Sequence, residues 1–291
     1  MIEIEHLLSS QNKLGEGPLW HPEESALYWV DIHQARVERF HPASEEHRTF
    51  HFKQAVTALG LRAGGGFVVA GKHGFATWDG QGEMVEQIAD PEADKPEYRF
   101  NDGAVGPDGG FWAGTMYEGE GQRQPGSLYR MSPDGSISVM ETGLLISNGL
   151  GWSPDCKTFY LTDSQRHCIN AYDYDREQNT IYNRRVLVDT KGEPGEPDGL
   201  AVDSHGFIWS ARWGGWNLSR YDHKGKMECQ IKLPVEFPTS CTFGGTGLNE
   251  LFITSAWTPM NEEQRKAQPL AGDLFRIHVD VPGMAEYRYA G

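Results

Sequence analysis

The 291-residue chain has no apolar run long enough to span a bilayer, although 38% of its residues are hydrophobic, so helical membrane proteins are excluded from consideration. Positive charge is also scarce. With 26 Lys and Arg against 41 Asp and Glu, the formal net charge of −15 repels nucleic acid and anionic lipid, and no basic cluster offsets it locally. Neither nucleic acid nor a membrane is therefore expected as a partner. The four cysteines, Cys156, Cys168, Cys229 and Cys241, lack C-x-x-C spacing and the density of a disulfide scaffold, so free thiols are expected. A G-x-S-x-G nucleophile elbow, a phosphate-binding G-x-x-x-x-G-K-[ST] loop and an H-E-x-x-H zinc helix are all missing. The stretch "DYDREQNTIYNR" from Asp173 opens like an EF-hand loop, but Gln178 stands where the turn glycine belongs and Arg184 where the bidentate Glu belongs. It is expected to be a solvated hairpin. The opening "MIEIEHLLSSQNK" carries acidic residues where a secretory leader carries basic ones, and a cytoplasmic location is expected on that ground.

Glycine (35) and tryptophan (9) are plentiful, set among short β-branched or aromatic runs punctuated by Gly, Pro, Asn and Asp, which is the grammar of an all-β chain. One pattern recurs: a polar residue, small residues, a short apolar strand, a turn and an aromatic strand. It is clear in "GEGPLWHPEESALYWVDI" from 15, "FNDGAVGPDGGFWAGTM" from 100, "SNGLGWSPDCKTFYLTDS" from 147 and "PDGLAVDSHGFIWSARW" from 197. Weaker copies start at 56 and 239. Equivalent positions fall on Glu16, Thr57, Asn101, Asn148, Asp198 and Ser240, with successive spacings of 41, 44, 47, 50 and 42 residues. This period predicts a single six-bladed β-propeller domain over residues 1–291, with four-stranded blades around a central channel. After the sixth copy only "DLFRIHVD" remains as a third strand, so the N-terminal "IEIEHLL" is expected to supply the outermost strand and close the ring.

Equivalent positions of a propeller lie at one height around the axis, so Glu16, Asn101, Asn148 and Asp198, each preceding an innermost strand, are expected to meet at one mouth of the channel. They offer only oxygen donors at that point, two of them charged, a set suited to a hard divalent cation rather than to a thiolate-seeking one. Asn-Gly and Asp-Gly are also ordinary turn formers. No histidine falls at this register. Trp213 and Trp216 in "RWGGWN" suit either sugar stacking or blade packing.

Together "GEGPLW", "RFNDG", "AGTM", "ISNGL", "PDGLAVD", "SCTFGG" and "PLAGDLFRI" resemble the ordered motifs of the SMP-30/gluconolactonase/LRE family, over nearly the whole chain. The resemblance implies a metal-dependent hydrolase opening sugar lactones to aldonic acids, with one divalent ion (Ca²⁺, Mg²⁺, Mn²⁺, Zn²⁺ or Fe²⁺) at the channel mouth. Carried over motif by motif, the implied metal ligands are Glu16, Asn148 and Asp198, with Asp198 also the implied general base, and the implied substrate contacts are Arg99 and Asn101. Regucalcin-like members follow "AGTM" with two acidic residues that help hold the sugar. This chain reads "YEGEG", matching only Glu118, and the segment 117–126 either contributes that hydroxyl acceptor or closes over the site as a lid. The expected partner is a small sugar lactone, and the expected state a monomer or weak homodimer. Two rival readings are a calcium-binding regulatory protein without turnover and a promiscuous esterase or organophosphate hydrolase on the same propeller.

Overall fold

The computed structural model describes residues 3–82 and 86–291. It opens with β1 (Ile4–Leu8), which is followed by the first blade: β2 (Gly15–His21), β3 (Ala26–Asp31), β4 (Arg36–His41) and β5 (Glu46–His51). The second blade is β6 (Val56–Leu61), β7 (Phe67–Gly71), β8 (Gly74–Trp78) and β9 (Glu86–Ala89), and the third is β10 (Tyr98–Val105), β11 (Phe111–Tyr117), β12 (Gly126–Met131) and β13 (Ile137–Leu144). The fourth is β14 (Ser147–Trp152), β15 (Thr158–Asp163), β16 (Cys168–Asp175) and β17 (Thr180–Asp189), and the fifth is β18 (Glu196–Val202), β19 (Ile208–Trp213), β20 (Asn217–Tyr221) and β21 (Met227–Lys232). The sixth contributes β22 (Pro238–Gly244), β23 (Glu250–Ser255) and β24 (Leu274–His278). Among the described residues these strands make six antiparallel sheets of four, a six-bladed β-propeller.

The sixth sheet runs β1–β24–β23–β22, with Ile4 opposite Ile277. The N-terminal strand therefore closes the ring as expected, although Ile2 of the expected strand lies outside the described residues. The strand period follows burial. Inner and second strands such as "ALYWVD" and "FVVAG" are buried throughout, whereas the outermost "EHRTFH" is half wet, as sheets packed face to face require. The four cysteines are free, and the Asp173 stretch is the β16–β17 hairpin, turning between Asp175 and Thr180. One short helix, α1 (Glu262–Ala267), rides on the β23–β24 connection behind an Asn261–Gln264 capping box. Among the described residues no helix is long and apolar enough to cross a membrane.

The expected register needs one correction. The polar residues do not precede the innermost strands. β18 starts at Glu196, four residues ahead of the apolar "LAVD", so Asp198 lies inside the strand. Each innermost strand slips register at this level, between Glu16 and Leu19, Val56 and Ala58, Phe100 and Gly103, Asn148 and Leu150, Pro197 and Leu200, and Pro238 and Ser240. A β-bulge adds a residue on one strand and re-aims side chains. Six of them at one height turn a ring of strand residues towards the axis.

Glycines beside the bulges let the inner strands approach. A Cβ on Gly149 would stand 2.7 Å from the Asp198 carbonyl oxygen, and one on Gly199 would stand 2.1 Å from Ser240 Oγ. The Gly after Asn148 and the Gly after Asp198 thus each record a contact between blades, which a turn-former reading does not supply.

Removal of residues 1–8 leaves β24 as an open sheet edge. The truncated protein is expected to melt roughly 5 °C or more below the intact chain, with greater aggregation. An unchanged midpoint in differential scanning calorimetry would rule out ring closure by β1.

Candidate active site at the channel mouth

Glu16, Asn101, Asn148, Glu196, Asp198 and Trp213 line one cavity at the end of the channel where the innermost strands begin. The structure thus brings together the four polar residues expected to meet. The two weak copies differ. Thr57 is buried and its hydroxyl donates to the Ala70 carbonyl at 3.2 Å, which is a blade contact, and Ser240 lines the channel below the mouth. Trp213 joins the cavity wall, whereas Trp216 sits at the end of the next turn with φ +61°.

Buried ion-pairing groups outside the cavity fix the approach of each strand. Asp31 is fully buried and accepts from the backbone N–H groups of Lys13 (2.8 Å) and Leu14 (3.2 Å), setting the entry to Glu16. Across the ring in the fourth blade, Asp163 has the same role, accepting from Leu145 (3.2 Å) and Ile146 (3.1 Å) just before Asn148. Ahead of Asp198 the polarity is reversed: the buried Arg212 donates to the carbonyls of Pro194 (2.9 Å) and Gly195 (3.0 Å). Asn101 Nδ2 donates to the Ser147 carbonyl at 3.0 Å, tying the third blade to the fourth.

The carboxylates of the cavity lack such partners. Glu16 is 7% exposed and accepts only from its neighbour Gly17 N–H at 3.3 Å. Asp198 is 4% exposed and accepts from Asn148 Nδ2, whose amide also donates to Ser164 Oγ at 3.2 Å. Burial pushes the Glu16 carboxyl up to about 8, reinforced by the negative charge of Asp102 and opposed by the Gly17 N–H and Arg99. Burial likewise raises Asp198 well above the ordinary carboxylate range, with Glu16, Asp102 and Glu196 adding to it. Buried like charges without partners are costly, and a bound cation or protons relieve them.

Sequence reasoning missed Asp102 and Glu196. Asp102 is the "D" of "RFNDG". The bulge in β10 leaves Asn101 on the mouth and Asp102 on the channel below it, where enclosure raises its carboxyl to about 6 against the pull of the Gly103 N–H. Its position next to Asn101 was the available signal. Glu196 lies two residues before Asp198, and two-residue periodicity along the strand would have found it.

Arg99 and Glu118 form an adjoining unit. Arg99 is 5% exposed, and its Nε donates to Glu118 Oε1 at 2.7 Å, its Nη1 to Asn101 Oδ1 at 2.7 Å and to the Phe100 carbonyl at 2.9 Å. Lys72 Nζ donates to Glu118 Oε2 at 3.3 Å. Although burial pushes Glu118 up, Arg99 and then Lys72 hold it below its ordinary value. Its two oxygens thus both face protein cations. The following segment folds back on itself, Arg123 Nη1 donating to the Tyr117 carbonyl at 3.0 Å, and the charge of Arg123 reaches Glu196 on the fifth blade.

Among the described residues no three His, Cys, Asp and Glu side chains gather in a metal-holding arrangement; this cavity offers the buried carboxylates of Glu16 and Asp198, the amides of Asn101 and Asn148, and the half-buried carboxylate of Glu196 at its edge. They fit a hard cation on chemical grounds, because the two buried carboxylates lack a contacting cation. A half-turn of the Asn148 amide also exchanges its Nδ2 for Oδ1 facing Asp198.

Comparison with known proteins gives a consistent picture. A model of the SMP-30/gluconolactonase/LRE-like region matches residues 14–257. Regucalcin of Gallus gallus is 38% identical over 296 residues, covering 100% of this chain and 99% of its own. A 6-deoxy-6-sulfogluconolactonase of Pseudomonas putida is 36% identical over 278 residues, covering 96% and 95%. The crystal structure of a calcium-binding protein, regucalcin, from Agrobacterium tumefaciens superposes with a TM-score of 0.93 at 27% identity, covering 99% and 97%.

The raised carboxyls give a pH dependence with a definite sign. A carboxyl whose folded pKa exceeds its unfolded value stabilises the fold below the unfolded value, near 4.5 for Glu16, and that contribution is lost as pH rises through about 8. Chelator-treated protein is therefore expected to lose stability between these pH values, and Glu16→Gln to flatten the loss. Urea melts across that range with an equal slope in both proteins would contradict this electrostatic picture.

Proposed function

The chain belongs to the SMP-30/gluconolactonase/LRE-like family, and from that premise we propose that it is a divalent-metal-dependent lactonase opening sugar lactones to aldonic acids. The observation that carries this reading is the pair of buried carboxylates, Glu16 and Asp198, each with one hydrogen-bond donor and no contacting cation, set in one cavity beside a rigidly held arginine. The names of the relatives support both halves of it, since one is a calcium-binding protein and another a 6-deoxy-6-sulfogluconolactonase.

Glu16, Asn148 and Asp198 would hold the ion, with Asn101 close by. When bound, such an ion supplies positive charge and Lewis acidity at the carbonyl oxygen of an ester. The absence of a serine nucleophile motif then needs no further explanation. The remaining work falls to side chains. Asp198 presents a carboxylate oxygen that takes the proton of the attacking water, a base held in place by the bulge in β18. Arg99 orients the lactone oxygens with its fork of donors. Its own orientation is set by Glu118, Asn101 and the Phe100 carbonyl, so Glu118 acts through Arg99 in positioning substrate. The same donor set suits a calcium-binding protein without turnover, but such a protein has no use for a buried, triply anchored arginine at the mouth.

The decisive experiment follows hydrolysis of glucono-, galactono-, xylono- and arabinonolactone by a pH indicator, on metal-stripped protein with Ca²⁺, Mg²⁺, Mn²⁺, Zn²⁺ or Fe²⁺ restored one at a time. Turnover returning with an ion is the expected result. Absence of turnover under every pairing, with an ion bound, favours the calcium-binding reading. Asp198→Ala is expected to remove activity and weaken metal affinity with the blades intact by circular dichroism. In contrast, Arg99→Ala is expected to raise KM and lower kcat by roughly 10–100-fold together with little change in metal affinity. A wild-type rate in either variant would overturn the role assigned to that residue.

A further inference from the structure

Resting on the lactonase reading above, we propose that Glu196 is the hydroxyl acceptor that sets the substrate class, selecting a polyhydroxylated sugar ring over plain aliphatic lactones and esters. Glu196 opens β18 and pairs with Trp213 of β19, and both side chains line the mouth cavity with Asp198. A strand rises about 3.3 Å per residue, so Glu196 stands roughly 7 Å along the strand from Asp198, leaving room for one sugar ring between the reacting carbonyl and the carboxylate.

The two carboxylates beside the site differ in what they already hold. Both oxygens of Glu118 are taken, by Arg99 at 2.7 Å and Lys72 at 3.3 Å. Glu196 accepts no hydrogen bond among the described residues. The imidazole of His167 stands with Nε2 at 4.0 Å, beyond hydrogen-bond length, and the Glu196 side chain remains 34% exposed. A half-buried carboxylate with open acceptor positions inside a substrate cavity is completed by a donor from the substrate, and a neutral sugar offers only hydroxyl groups. Such an O–H···O⁻ bond is among the stronger hydrogen bonds.

Trp213 supplies the second half of the wall. It is half-buried and packed on Phe237 at 4.9 Å between ring centroids, so its indole is fixed in place. An aromatic face next to a carboxylate matches a sugar ring, whose C–H face is apolar while its edge carries hydroxyls. A phosphotriester or an unsubstituted lactone meets the aromatic face but leaves the carboxylate unpaired, and a site built to bond a hydroxyl rejects analogues without one. The preference therefore resides in the β18–β19 pair of the fifth blade, separate from the ion-holding residues.

The test compares kcat/KM for glucono-1,5-lactone and δ-valerolactone in the metal-loaded wild type, Glu196→Leu and Glu196→Gln, together with metal affinity by calorimetry. Loss of the acceptor in Glu196→Leu is expected to cut the preference for the hydroxylated lactone by roughly 30-fold or more, through KM; any change in the base Asp198 acts on both lactones alike and leaves their ratio unaffected. Glu196→Gln keeps a carbonyl acceptor without the charge and is expected to retain more of the preference than Glu196→Leu, which a role through charge alone would not allow. An unchanged preference in Glu196→Leu overturns the proposal. Binding of the non-hydrolysable ring 1,5-anhydroglucitol is measured on the same proteins. If the wild type turns over neither lactone, the lactonase reading fails, while weaker anhydroglucitol binding by Glu196→Leu than by wild type still supports the Glu196 assignment and equal binding, or none, overturns it.

Discussion

Two carboxylates withdrawn from water at one point on the propeller axis, Glu16 and Asp198, are the constraint around which the rest of the structure is arranged. Burial raises the affinity of both for a proton, Glu16 adds to that of Asp198, and Asp102 beneath them adds to both. Desolvated like charges push apart. What keeps them together is a ring of six inner strands, each bulged at the same height, with Gly149 and Gly199 leaving no room for a Cβ between the fourth, fifth and sixth. Closure of that ring by β1 removes the free edge through which the strain could relax.

The molecule treats its acidic groups in two ways. Asp31, Asp163 and Asp203 are fully buried and surrounded by backbone N–H groups, an indole or an arginine. These carboxylates hold loops in place, and those of Asp31 and Asp163 do so immediately ahead of Glu16 and Asn148. At the mouth the logic is reversed, because Glu16 and Asp198 are left with one donor each. Unsatisfied buried acceptors cost stability, and proteins carry such costs where function needs them. Arg99 belongs to the first group in its own bonding and to the second in its location, since three acceptors fix it where its charge acts on Glu16.

Much of the fold was legible because its units repeat. The spacing of about 41 to 50 residues between Glu16, Thr57, Asn101, Asn148, Asp198 and Ser240 reports one blade per repeat. A shortfall of one strand after "DLFRIHVD" identified β1 as the closing strand. The converging polar residues could be found for the same reason, since a repeat puts equivalent positions at equal height. What periodicity could not provide was the local backbone. The "PDG" of the fifth repeat reads as a turn, yet it lies within β18, and only the pairing of Pro197 with Arg212 and of Leu200 with Ser210 reveals the bulge.

The sequence by itself determined the propeller, the number of its blades and the meeting of Glu16, Asn101, Asn148 and Asp198 at one mouth, because these follow from a period carried along the chain. Only the tertiary structure decided what those residues do there. Whether Glu118 is free for substrate depends on Lys72 from the second blade and Arg99 from the third. Glu196 is open for the opposite reason: among the described residues no side chain reaches its carboxylate within hydrogen-bonding distance. The charge state of Glu16 depends on Asp102, 86 positions along the chain. Such facts are set by three-dimensional distances between blades, and electrostatic energy follows those distances rather than separation along the sequence.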